Sequence, residues 1–177
     1  MIQSVDAAAV SWEELKQYVY EADGSWRDIY VLDATREDWK KCVDFVNANY
    51  RVAFNHQIEE HRDQIDFATV LEFWDSCEEA LMPFSAVFVG EMIIKCHFFV
   101  DDEIENDVDP SEVDSCAAHL QLMAYMTGFS QALGKEVVLT GENYSPSNRS
   151  QHREWVPLLA VNNDQVQVYR YRSDASS

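Results

Sequence analysis

The chain has 177 residues, 32 of them acidic and 13 basic, for a formal net charge of −19. At 47% hydrophobic and 12% aromatic it is too apolar for a disordered acidic segment, and it is long enough to bury a core without a disulfide or metal staple. So negative a surface repels phosphate, which argues against direct nucleic-acid binding and against docking on anionic membranes.

Met1 to Val10 carries Asp6 and no basic residue, so no secretory signal is read there. Apolar stretches such as Ala86–Val89 fall far short of the roughly 20 residues that cross a bilayer. Four scattered cysteines without a CxxC pair are expected to be buried thiols, and the expected compartment is the cytoplasm. Ser11 can cap a helix running to about Ala22, with Glu14 placed to close a capping box. Arg27–Asp33, rich in Ile, Tyr and Val, reads as a strand. Thr35 caps a second helix whose apolar residues Trp39, Cys42, Val43 and Val46 form one stripe. Tyr50–His56 alternates as a strand does, and Phe67–Ala80 has helical spacing. Ala86–Val89 and Met92–Val100 flank Gly90-Glu91, which fits a type II′ hairpin turn.

Asp109-Pro110-Ser111-Glu112 carries the signature of a helix start, and the longest helix is expected to run from there to Gly134, a left-handed cap. Lys135–Thr140 reads as a strand. A polar loop, Gly141–Gln151, leads to a last hairpin of Trp155–Val161 and Val166–Arg172, with Ser173–Ser177 frayed. The order predicts one α+β domain over residues 1–177. Its expected form is an antiparallel sheet packed by helices on one face, in ferredoxin-like βαββαβ order with an added N-terminal helix and C-terminal hairpin.

The charge is concentrated. Residues Glu59 to Asp114 hold seventeen acidic side chains against Arg62 and Lys95, and six carboxylates fall within Asp101–Asp109. Crowding like charges is costly, so the run is read as a docking surface for a basic partner. The expected contacts are Asp101, Asp102, Glu103, Glu105 and Asp107, supported by Glu78, Glu79, Asp63 and Asp66. A second reading is a calcium- or small-molecule-binding loop. Asp101, Glu103, Glu105, Asp107, Asp109 and Glu112 match the ligand places of an EF-hand loop, but Asn106 stands where that loop needs Gly.

Catalytic signatures are missing. His56 and His61 are not spaced as HExxH, and Cys96 and His97, adjacent on a strand, point to opposite faces. His97 instead shares a face with Lys95 and Phe99. The sequence leans away from an enzyme and implies no cofactor. The last strand mixes Val166 and Val168 with Tyr169, Arg170 and Tyr171, as an edge strand or an interface would, so a homodimer through the C-terminal hairpin is a further expectation. In size, charge and lack of catalytic motifs the chain is similar to bacterial immunity proteins that neutralise nuclease-type toxins, and to DNA-mimic inhibitors. That likeness of composition implies an acidic inhibitor of a basic protein.

Overall fold

In the computed structural model, residues 2–57, 60–76, 81–142 and 157–171 are described. In chain order the elements are β1 (Ile2–Asp6), α1 (Trp12–Tyr18), β2 (Arg27–Val31), α2 (Arg36–Asn49), β3 (Arg51–Gln57), β4 (Glu60–Arg62) and α3 (Phe67–Asp75). Then follow β5 (Phe84–Val89), β6 (Met92–His97), β7 (Ile104–Val108), α4 (Cys116–Leu133), β8 (Val137–Gly141), β9 (Leu159–Asn162) and β10 (Gln165–Tyr171). The strands form a ten-stranded sheet in the order β1-β10-β9-β8-β2-β7-β6-β5-β3-β4. Every pairing in it is antiparallel.

The α+β class and the antiparallel sheet are therefore present, but the sheet is larger than a ferredoxin-like one and its order differs. In a four-stranded split β-α-β sheet one strand separates the two joined by the first crossover. Here the meander β5-β6-β7 stands between β2 and β3, while β9, β10 and β1 extend the sheet beyond β8.

Local chemistry explains the helix ends. Ser11 and Glu14 form a complete capping box on α1, and Thr35 and Asp38 form one on α2. Gly134 closes α4 at φ +64°, a left-handed conformation that glycine adopts without strain. The β5–β6 turn also follows its sequence, with Gly90 at φ +62°.

Three expectations are corrected. Asp109 caps only a 3₁₀ turn, Pro110–Glu112, and the long helix starts at Cys116 under Ser115. Glu112 does not complete a box on that turn, because its carboxylate accepts the Ile93 N–H at 2.7 Å and ties the turn to β6. The acidic run is a loop in its first part, residues 101–103. Ile104, Asn106 and Val108 are fully buried and draw the segment after it into the sheet as β7. Finally, β10 is not an edge: β1 pairs along it from Ile2↔Tyr171 to Asp6↔Gln167, so that side of the C-terminal hairpin is already occupied.

Burial organises one main core. Alternate strand residues such as Ile29, Phe54, Val87, Ile94, Ile104 and Leu139 join Leu15 of α1, Trp39 and Val46 of α2, Val70 of α3, and Leu122 and Phe129 of α4 in a single cluster. Opposite strand positions look the other way. At β2, β8 and β9 they form a small second cluster of Tyr30, Val138 and Ala160. Helices α2 and α4 cross where Gly128 leaves room for Phe45, whose ring meets Tyr50 and Phe129 edge-on. A Cβ on residue 128 would stand 2.0 Å from Phe45 Cζ. Gly128→Ala should therefore destabilise by on the order of 1 kcal/mol, although alanine is the better helix former. Urea denaturation tests it, and a stabilised variant would contradict the packing.

Candidate docking face of the sheet

Strand alternation places the carboxylates of β7. With Ile104, Asn106 and Val108 turned into the core, Glu105 and Asp107 stand on the outer face and Glu103 precedes them by the same step. Alternate residues of such a strand rise about 6.8 Å along it. Their cross-strand neighbours are fixed by register. On one side Lys95 lies opposite Asp107 and His97 opposite Glu105. On the other, Asp28 lies opposite Asp107 and Tyr30 opposite Glu105.

These neighbours are engaged. His97 Nε2 meets Asp107 Oδ2 at 2.6 Å, and the His97 ring stacks on Phe99 with centroids 4.9 Å apart and planes 7° apart. Lys95 sets its ammonium 3.8 Å from the centroid of the Trp26 ring. The Tyr30 hydroxyl lies 3.4 Å from Asp28 Oδ2, and burial, together with Asp28, Glu105 and Glu103, holds that phenol protonated. His97 Nδ1 and Asp107 Oδ1 are buried without a hydrogen-bond partner. As alternation required, Cys96 points into the core, where burial pushes its thiol up.

The row is electrostatically strained. Burial, and then Glu105 and Asp102, push the Glu103 carboxyl above its ordinary value of 4.5. Burial also raises that of Glu105, with Asp107 adding to it and His97 and Tyr30 opposing. Both groups bind their protons more tightly in the folded chain than in the unfolded one. Their contribution to stability is thus fully present below the ordinary value and is lost as the pH rises through the raised folded values. Accordingly, the Glu103→Gln/Glu105→Gln variant should melt higher than wild type at neutral pH. The difference should close as the pH falls towards 4.5. Melting curves across that range test the strain, and a difference that ignores pH contradicts it.

Around the row the outer face carries exposed aromatic side chains. Phe84, opposite His97, is 42% exposed and Phe99, stacked on His97, 45%. Arg51 lies over Phe88, with its guanidinium carbon 3.4 Å from the ring centroid, and Ile93 is exposed beside them in register.

The other expected contacts are distributed differently. Asp101 receives a 2.8 Å hydrogen bond from Arg36 Nε, and the same guanidinium holds Asp75 at 2.8 Å. Asp102 is exposed, and its carbonyl accepts the Ala34 N–H. Asp63 and Asp66 follow β4, four strand positions from β7, or about 19 Å across the sheet. There they line an open groove of about 670 Å³ with Lys40, Asp44, Asn47 and Arg62. Its polar groups bind one another: Arg62 holds Asp66, Lys40 holds Asp44, and Asn47 exchanges two hydrogen bonds with the Ile65 backbone. Glu78 and Glu79 lie outside the described residues, as does Cys77.

The calcium reading required six side chains to converge. Instead Glu105 and Asp107 project from a strand, Asp109 caps a turn through the Ser111 N–H, and Glu112 binds the Ile93 N–H. Among the described residues, no three His, Cys, Asp or Glu side chains gather as a metal cage. His119 is buried in α4, where its Nδ1 meets the Tyr20 hydroxyl at 2.7 Å, so it does not share a site with His97 on the outer face.

What the sequence reading missed is the company of the carboxylates. Asp28 and Tyr30 come from a strand more than seventy residues earlier in the chain and meet them only through the β2–β7 register. These features define an α+β protein with a ten-stranded antiparallel sheet whose outer face carries a row of carboxylates among exposed aromatic rings. No family model, curated protein or solved structure matches the chain. Among the described residues no helix is long and apolar enough to cross a membrane.

Proposed function

We propose that the protein is an acidic, non-catalytic inhibitor that binds and occludes a basic protein, in the manner of an immunity protein neutralising a nuclease-type toxin or of a DNA mimic. One observation carries the reading: Glu105 on β7 and Glu103 just ahead of that strand are half-buried and repel one another, with no salt bridge to Lys or Arg among the described residues. Natural sequences tolerate such a cost where a ligand relieves it. The adjoining exposed rings of Phe84 and Phe99 supply the apolar contact that charge alone lacks. Asp102 extends the row at its open end, while Asp101 sits beside it already paired to Arg36. Carboxylates presented this way take the place of phosphates before a cationic surface and steer its approach.

The test is capture from the lysate of the source cells, with wild type and with the Asp101→Asn/Asp102→Asn/Glu103→Gln/Glu105→Gln variant, at low and high salt. The reading predicts one basic protein, retained by the wild type at low salt and lost both at high salt and in the variant. Retention of the same protein by the variant would refute this placement of the surface.

A further inference from the structure

The face offers more than charge. Phe99 is held by its stack on His97 yet remains 45% exposed, and His97 is itself fixed by Asp107. Asp107 is thereby occupied, whereas Glu103 and Glu105 have no Lys or Arg within salt-bridge distance among the described residues. A ring immobilised from one side, the half-buried carboxylates of Glu105, opposite His97, and of Glu103, and the exposed ring of Phe84 on the other side of His97 make up the complement of one side chain: a planar cation on an aliphatic stem.

We infer that this face seats an arginine of the basic partner, its guanidinium lying against the Phe99 ring and forked onto the carboxylates of Glu103 and Glu105, an assignment that rests on the inhibitor reading. Arginine fits where lysine does not, because the guanidinium is flat, weakly hydrated and able to donate two parallel hydrogen bonds. An ammonium is a compact, strongly hydrated point charge. The row keeps its own charge: the Arg36 and Arg62 guanidiniums are committed to Asp101, Asp75 and Asp66.

Calorimetric titration of the full-length protein with oligo-arginine and oligo-lysine peptides of equal length tests the seat. Wild type should bind the arginine peptide about tenfold more tightly than the lysine peptide. In Phe99→Leu that preference should shrink to about twofold while lysine-peptide affinity stays unchanged, since the substitution alters no charge. Glu103→Gln/Glu105→Gln should weaken both peptides. An arginine preference that survives Phe99→Leu, or no preference in the wild type, overturns the seat. If the double carboxylate variant still weakens both peptides in that case, the acidic docking row stands without it. Undiminished binding of both peptides by the double variant overturns the row and the seat together.

Discussion

Trp39→Ala is expected to lower unfolding stability by about 3–5 kcal/mol, with a fall in melting temperature of roughly 6–20 °C. Trp39 of α2 is fully buried and packs against α3 and the end of β6, with ring centroids 5.5 Å from Trp74 and 5.2 Å from Phe98. Phe98 in turn packs edge-on against Phe54 of β3, so the cavity left by alanine would lie between α2, α3 and the β6 end of the sheet. Phenylalanine at this place should cost less than half as much. It refills most of the space, and it removes an indole N–H that is buried without a partner. Chemical denaturation of both variants checks the ordering. Equal losses would show that ring volume is not what holds the helices there.

Arg27→Ala should cost on the order of 3 kcal/mol through hydrogen bonds rather than volume. Only 5% of Arg27 is exposed, and its guanidinium organises the whole connection from α1 to β2. Nε donates to the Val19 carbonyl at 2.8 Å and Nη2 to that of Glu21 at 2.7 Å, while Nη1 reaches the Ser25 and Trp26 carbonyls at 3.2 and 3.1 Å. Alanine leaves these acceptors without their donor. Lysine restores the charge but not the fork, so Arg27→Lys should recover less than half of the loss. A lysine variant as stable as wild type would mean that charge, and not geometry, holds this turn.

The parts of the fold that were legible in the sequence are those whose causes are local. Ser11 with Glu14, Thr35 with its helix stripe, Gly90 at the hairpin and Gly134 at the end of α4 each act within a few residues, and each is found as read. The errors come from long-range pairing. β1 is five residues of weak pattern that become a strand only because β10, at the far end of the chain, lies beside them. β7 was hidden by its charges. Its alternation of Ile104, Asn106 and Val108 is interrupted by an asparagine, which is buried through a hydrogen bond from the Tyr125 hydroxyl on α4.

The candidate site divides in the same way. Strand alternation separated Cys96 from His97 and grouped His97 with Lys95 and Phe99, as the structure shows. The acidic run was visible as composition, but its division was not. Glu105 and Asp107 share a strand face with Glu103 just ahead of it, Asp101 is turned to Arg36, and Asp63 and Asp66 follow β4 at the edge of the sheet.

The central claim is that position, not net charge, makes the acidic row a docking surface. The most direct test is to titrate the captured basic protein against wild type, Glu103→Gln/Glu105→Gln, and Glu13→Gln/Glu72→Gln, which removes the same charge from exposed positions on α1 and α3. The account predicts affinity weakened at least tenfold, with a shallower salt dependence, only in the first variant. Equal weakening in both would show that the protein attracts its partner by bulk charge alone, and the row would have no special role.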